Sequence, residues 1–216
     1  MDLNTIWFLL IGVLLTGYAI LDGFDLGVGV LHLFANSEEE RRLHINAIGP
    51  VWDGNEVWLL TGGGALFAAF PVVYATVFSG FYLALILVLL ALIFRAVSFE
   101  FRGKVESAAW RRVWDWSFGL GSLVTAVVFG VAVGNILRGV PFDANGDLAV
   151  SFLGLLNPYA LVIGLLSLAM FVMHGAAYLA LKTDGALQHR LAEWASRLWV
   201  AWVLLFVAAS VVTFAT

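Results

Sequence analysis

Four carboxylates lie inside stretches that are otherwise apolar enough to enter a membrane: Asp22, Asp25, Asp53 and Glu56. They form two pairs, each spaced by three residues, so each pair shares a helical face. A carboxyl group at membrane depth is costly when ionised and usually faces protein or water. Four at one depth cannot all be ionised without partners, because desolvation and mutual repulsion both penalise the charged form. A set of partly protonated carboxyls linked by water is what a proton path needs. Arg95, at the inner end of a later apolar run, can pair with one of them, and Glu100 stands about one turn further out. Two structural roles compete with proton transfer. Asp22 or Asp25 can cap a neighbouring helix, or the carboxylates can pair with Arg95 purely for assembly.

The histidines offer a different chemistry. His32 falls at the end of an apolar run, and His44 and His189 fall in connections. His174 alone lies well inside a run, in Met170-Phe171-Val172-Met173-His174-Gly175. A bis-histidine haem needs two facing imidazoles, and a His/Met haem needs a partner placed across its plane. Met170 and Met173 share a helix with His174 and cannot face it across a haem. A haem held by this chain alone is therefore not expected. His174 is either a hydrogen-bonded interior histidine or a proton or quinone contact. There is no cysteine, which removes disulfides, thiolate metal sites and thiol catalysis. No metal site is expected. No phosphate-binding loop, dinucleotide fingerprint, zinc-protease motif or nucleophile elbow occurs, so hydrolase or ATP-driven chemistry has no support.

The elements that position these groups are membrane helices. The chain is 62% hydrophobic and 12% charged. A soluble domain is about 45–50% apolar and about 25% charged. No soluble core of 216 residues could hide the difference, so an all-α integral membrane protein is the expected class. Long apolar runs without period-two alternation favour helices over a barrel. Six spans are expected, at about 6–34, 47–70, 72–94, 114–137, 158–181 and 194 to the end. The first segment lacks the basic region of a signal peptide and is expected to remain as a span. Asn157-Pro158 forms an N-cap and first helical residue. Pro71 marks a tight connection, and Asp143-Ala144-Asn145-Gly146-Asp147 a turn-rich loop. Gly23, Gly27 and Gly29, with Gly62, Gly63 and Gly64, favour close helix approach. Gly54, beside Asp53, is placed to open the backbone at the polar stretch.

Ten of the eleven basic residues fall in the connections after spans one, three and five; Arg138 is the exception. Basic connections are cytoplasmic, which puts the N-terminus outside. Trp110, Trp114, Trp116 and Trp194 then belong to a cytoplasmic aromatic belt. At this topology Asp25 lies roughly 13 Å from the inner end of span one. Asp53 and Glu56 lie roughly 9 and 13 Å into span two. The net charge of −4 gives no nucleic-acid signal.

Several stretches closely resemble subunit II of cytochrome bd-type quinol oxidases. They are Leu21-Asp22-Gly23-Phe24-Asp25-Leu26-Gly27-Val28-Gly29, the segment from Gly49 through Trp52-Asp53-Gly54-Asn55-Glu56 to Trp58, and Gly62-Gly63-Gly64-Ala65-Leu66-Phe67. Phe94-Arg95-Ala96-Val97-Ser98-Phe99-Glu100, Trp114-Asp115-Trp116, Gly134-Asn135, Leu156-Asn157-Pro158-Tyr159 and His174-Gly175-Ala176-Ala177-Tyr178 continue the match in order. The resemblance implies a respiratory enzyme of the prokaryotic cell membrane that oxidises quinol and reduces dioxygen to water. It implies that b-type and d-type haems sit in a partner, subunit I, and that this subunit carries none. It further implies that this subunit stabilises the complex and contributes a proton path from the cytoplasm. Asp22, Asp25 and Asp53 match the acidic positions of that path, with Arg95 and Glu100 nearby, and Glu56 adds a carboxyl. In some members a quinone lodges near the position of Trp52, and small single-span subunits accompany the complex. Val51 and Glu56 depart from members that carry a histidine and a glutamine there.

The resemblance also implies two four-helix bundles. Residues 1–138 are expected to form the first, 139–156 an extracytoplasmic loop, and 157–216 two helices of the second. A proton- or cation-coupled carrier, with the acidic pairs as its ion site and broken helices at mid-membrane, is the alternative function. A membrane scaffold, with the carboxylates binding Arg95 and partner residues, is a third.

Overall fold

The computed structural model describes residues 2–143 and 148–215. Its helices are α1 (Leu3–His32), α2 (Glu38–Ile48), α3 (Trp52–Ala69), α4 (Pro71–Gly80), α5 (Tyr82–Phe101), α6 (Ala108–Arg138), α7 (Pro158–Lys182) and α8 (Gly185–Ala215). A 3₁₀ turn, Phe152–Leu155, precedes α7. The all-helical membrane class expected from composition holds. Five helices, α1, α5, α6, α7 and α8, are long and apolar enough to cross a membrane. Helix α3 has 18 residues, but Asp53, Asn55 and Glu56 in its first half make it less apolar.

The helix ends follow from local chemistry. Asp2 caps α1, its Oδ1 accepting from the Thr5 amide at 2.8 Å. Ser37 caps α2 through the Glu40 amide at 3.1 Å, and Glu38, Glu39 and Glu40 then sit favourably at the positive end of the helix dipole. Ser107 caps α6. Asn157 caps α7, its Oδ1 accepting from Ala160 N at 3.0 Å with Pro158 in the first turn, as the sequence predicts. Such caps are worth about 1 kcal/mol each.

Several boundaries differ from the expected spans. The first span stops at His32 rather than residue 34. The second does not begin at Ala47: Ala47 and Ile48 end the amphipathic helix α2, and α3 starts at Trp52. Gly49-Pro50-Val51 makes the break: Gly49 is still helical, but Pro50 has no amide hydrogen to continue the bonding of α2, and Val51 at φ −127° leaves helical geometry. The third span divides into α4 and α5 at Phe81, and α5 runs on to Phe101. Arg95 therefore lies inside a helix, not at its end. Helix α6 begins six residues before Trp114, and α8 nine before Trp194. The turn-rich loop predicted at Asp143–Asp147 falls largely at positions 144–147, outside the described residues; Phe142 and Leu148 form an isolated antiparallel bridge beside it.

Helix α1 is the hub and packs against α3, α6 and α7; α6 also packs on α5, and α8 lies along α7. The contact of α1 with α7 is backbone against backbone. A methyl group added to Gly27 would stand 1.8 Å from the Phe171 carbonyl oxygen, and one added to Gly175 2.5 Å from the Gly27 carbonyl carbon. Small residues allow this approach, which membrane helices use because lipid offers little hydrophobic drive for association. The predicted close approach holds at Gly23, Gly27 and Gly29, whereas Gly63 and Gly64 face open space. Phe24, Val28, Leu31, Ile48, Phe118, Ala176, Leu179 and Leu191 form the core where α1, α2, α6, α7 and α8 meet. On α8, Leu204, Val211 and Phe214 are exposed, as lipid-facing side chains are.

Candidate functional site

Helix α1 presents Asp22 and Asp25 on adjacent faces, and each meets a different neighbour. Both side chains are fully buried. From α5, the fully buried Arg95 donates through Nη2 to Asp22 Oδ1 at 2.8 Å. From α3, Asn55 donates through Nδ2 to Asp25 Oδ2 at 2.8 Å and to the Leu21 carbonyl at 3.2 Å. The same helix brings half-buried Glu56, whose Oε2 is 3.7 Å from Arg95 Nη1. Gly121 of α6 makes room for Arg95: a methyl there would meet the Ala91 carbonyl at 2.6 Å and Arg95 Cβ at 3.3 Å.

Two carboxyl groups, Asp22 and Glu56, thus face one guanidinium, and a third, Asp25, is held nearby by Asn55. Asp22 Oδ2, Asp25 Oδ1, Arg95 Nε and the Tyr18 hydroxyl, one turn before Asp22, are buried without a hydrogen-bond partner. Buried polar atoms normally have partners, from protein or ordered water. Unpaired ones concentrated around carboxyl groups make a polar seam through an apolar interior, able to hold a proton or pass one on.

Asp22, Asp25, Glu56 and Arg95 come together as the sequence predicts. Asp53 does not join them. It is exposed in the first turn of α3, not a turn and a half inside a span, because that helix starts only at Trp52. Glu100 is exposed near the end of α5. Trp52 stacks on Phe99 with ring centroids 4.6 Å apart and planes 1° from parallel. His174 stacks on Phe24 at 5.7 Å, and Phe24 on Tyr178 at 4.0 Å. Trp52 and His174 therefore have separate aromatic partners.

A second polar group, not singled out from the sequence, closes the nearby end of the bundle. His32 Nε2 lies 2.6 Å from Asp115 Oδ1. Arg102 donates to Asp115 Oδ1 through Nε at 2.5 Å and to Glu38 Oε2 through Nη2 at 2.8 Å. Glu40 is ion-paired with Arg190, which links α2 to α8. These contacts leave a mark on the groups outside the spans. The Arg102 hydrogen bond holds the Glu38 carboxyl below its usual range. Burial would raise the Glu40 carboxyl, but hydrogen bonds from Arg190 and the Asn36 amide reverse that and keep it low. Burial, and then the neighbouring His32, push His44 down to about 4. Three of its members stand at helix ends, His32, Glu38 and Arg102, but Asp115 lies inside α6 and no local spacing pairs it with them.

The four histidines differ in their surroundings. His32 is tied to Asp115, His189 is exposed on α8, and His174 stacks on Phe24 with Met170 and Met173 on its own helix. His44 is fully buried beside His32, ring centroids 6.0 Å apart. Among the described residues no group of three or more histidine, aspartate or glutamate side chains is placed to hold a metal ion.

Known proteins are similar to this chain in sequence and in fold. Residues 3–215 match the family described as cytochrome bd terminal oxidase subunit II. The chain is 52% identical over 193 residues to cytochrome bd-I ubiquinol oxidase subunit 2 of Escherichia coli (strain K12), covering 87% of this chain and 51% of that protein. It is 45% identical over 198 residues to cytochrome bd ubiquinol oxidase subunit 2 of Bacillus subtilis (strain 168), covering 91% and 59%. The chain thus spans about half the length of the curated relatives it matches. In fold it is similar to a chain in the structure of bd oxidase from Geobacillus thermodenitrificans, with a TM-score of 0.80 at 20% identity, covering 99% of this chain and 64% of that one. With five apolar helices and bacterial relatives, the protein is a multi-pass protein of the bacterial cell membrane. The chain belongs to the cytochrome bd terminal oxidase subunit II family.

Proposed function

We propose that the chain is a haem-free membrane subunit of a quinol:oxygen oxidoreductase, and that its buried acidic cluster lies on a proton path from the cytoplasm. The family match supports the first part. The observation that carries the second is the pairing of Asp22 and Glu56 with the single guanidinium of Arg95, with Asp25 held beside them by Asn55. In this proposal the b-type and d-type haems belong to a partner subunit and supply the oxygen chemistry there. Quinol is the electron donor, and Trp52 and His174 are candidates for quinone contact. Residues 1–138 form the first helix bundle, and α7 and α8 begin a second.

The proton role follows from the differing environments of the carboxyls. Arg95 fixes Asp22 as a counter-ion by a charge-assisted hydrogen bond. Asn55 orients Asp25 and leaves its second oxygen unpaired. Glu56, half-buried and 3.7 Å from Arg95, is the more accessible member and the entry to the seam. Asp53 and Glu100, exposed at the ends of α3 and α5, gather protons at the surface. With the N-terminus outside, that surface is the cytoplasmic one.

A tagged version of the protein, isolated from its native membrane, tests the assignment. A haem d spectrum and quinol-dependent oxygen consumption are expected in the isolated complex. Isolation without a haem-bearing partner, and without oxygen consumption, contradicts it.

A further inference from the structure

We propose that the cleft between the end of α1, the start of α2 and the first turns of α6 binds the phosphate of an anionic phospholipid headgroup. The cleft has a volume of about 410 Å³ and is lined by His32, Leu33, Arg41, Arg111, Arg112 and Trp116, together with Glu38 and Asp115. It is separate from the acidic cluster. His32 is seven residues beyond Asp25 on α1, about 10 Å along the axis.

The distribution of charge in the cleft favours an anion. Both acids are already engaged by Arg102, which reaches Asp115 at 2.5 Å and Glu38 at 2.8 Å. Arg41 Nε is then 3.8 Å from Asp115 Oδ2, and Arg111 Nη1 is 3.7 Å from Glu38 Oε1. Those separations are those of loose ion pairs, beyond hydrogen-bond distance. Arg112 is exposed and, among the described residues, pairs with no carboxylate. Several guanidinium N–H groups therefore lack a close acceptor. His32 lines the same cleft, fully buried, with Nδ1 unpartnered. Guanidinium forks match phosphate oxygens in geometry and charge.

A lipid fits better than a soluble phosphate because of what adjoins the arginines. Helices α1 and α6 both have the length and apolarity of membrane spans, and the cleft lies where α1 ends and α6 begins. Headgroups sit at that level. Leu33 and the exposed Trp116 offer an apolar wall for the start of an acyl chain, and tryptophan favours the interface. Arginines at such a surface attract anionic headgroups at about 1 kcal/mol each, which is roughly fivefold in binding.

The test uses the intact protein with the subunits that co-purify, in phosphatidylcholine vesicles doped with photoreactive phosphatidylglycerol. Labelling is expected in segments 32–41 and 108–116, suppressed by excess phosphatidylglycerol but not by millimolar inorganic phosphate. Arg112→Gln is expected to lower it about fivefold, Arg111→Gln with Arg112→Gln further, and Arg112→Lys to retain most of it. Arg112 has no carboxylate partner among the described residues, so its loss leaves the fold in place. Suppression by inorganic phosphate alone overturns the lipid as the source. Labelling that Arg112→Gln leaves unchanged overturns the site. So does a variant that loses a partner subunit while keeping its lipid label, because the cleft would then be a protein-docking face.

Discussion

Arg95 Nη2 donates to Asp22 Oδ1 at 2.8 Å, and neither side chain has any solvent exposure. The pair ties α5 to α1 across an apolar interior. Removing one partner leaves the other as an uncompensated buried charge, which costs about 3–5 kcal/mol. Arg95→Leu is therefore expected to lower folded yield and thermal stability sharply. Replacing both residues, Arg95→Leu with Asp22→Leu, is expected to recover most of that stability, because an apolar pair needs no desolvation. Thermal unfolding in one detergent, followed by fluorescence, gives both values. Equal loss in the single and double variants would mean that the pair is not what links the helices.

The contact of α1 with α7 predicts opposite outcomes for two glycines. Gly27→Ala puts a methyl 1.8 Å from the Phe171 carbonyl oxygen and forces the helices apart, at about 1–3 kcal/mol or more. Gly63→Ala meets nothing within 4 Å and replaces a poor helix former with the best one, a gain of up to about 1 kcal/mol. Measured melting temperatures should move down for the first and stay level or rise for the second. A fall of similar size in both would refute the close approach.

His44 predicts a stability that depends on pH. Its imidazole is held near 4 in the folded protein by burial and by His32, and near 6.5 when unfolded. His32, Glu40 and Arg190 are the ionisable groups that act on it. The unfolded chain thus binds a proton that the folded one refuses between about pH 6.5 and 4. The contribution is full above 6.5 and falls away as the pH drops through that window, by on the order of 3 kcal/mol. His44→Leu should lose less stability than the original protein between pH 7 and 4.5. Parallel pH profiles would contradict the assignment.

The relation of sequence to structure differs between α1 and the stretch that follows it. The Asp22/Asp25 pair, its burial and its link to Arg95 follow from residue type, three-residue spacing and the cost of charge in a membrane. Helix α2 does not follow from a search for apolar runs, since Glu38–Ile48 is polar and amphipathic. Its presence moves the start of the next helix five residues on, from Ala47 to Trp52. That shift leaves Asp53 exposed, where an apolar run from Ala47 places it at depth, while Asn55, a neutral residue between two acids, is the one that reaches Asp25. The His32–Asp115–Arg102–Glu38 group joins residues up to 83 positions apart, and no local spacing signals a contact of that range.

Asp25 is the most direct probe of the proposed proton path through the buried cluster. Asp25→Asn keeps the shape and the neighbouring Asn55 while removing the titratable carboxyl. The measurement is proton uptake from the cytoplasmic side during quinol-driven turnover, with the complex reconstituted in vesicles and its pigment spectrum recorded alongside. The predicted result is uptake and turnover lowered by at least about tenfold, in line with the usual worth of a positioned proton-transfer group, with an unchanged spectrum. Turnover and uptake equal to those of the original protein, at full pigment content, would contradict the account.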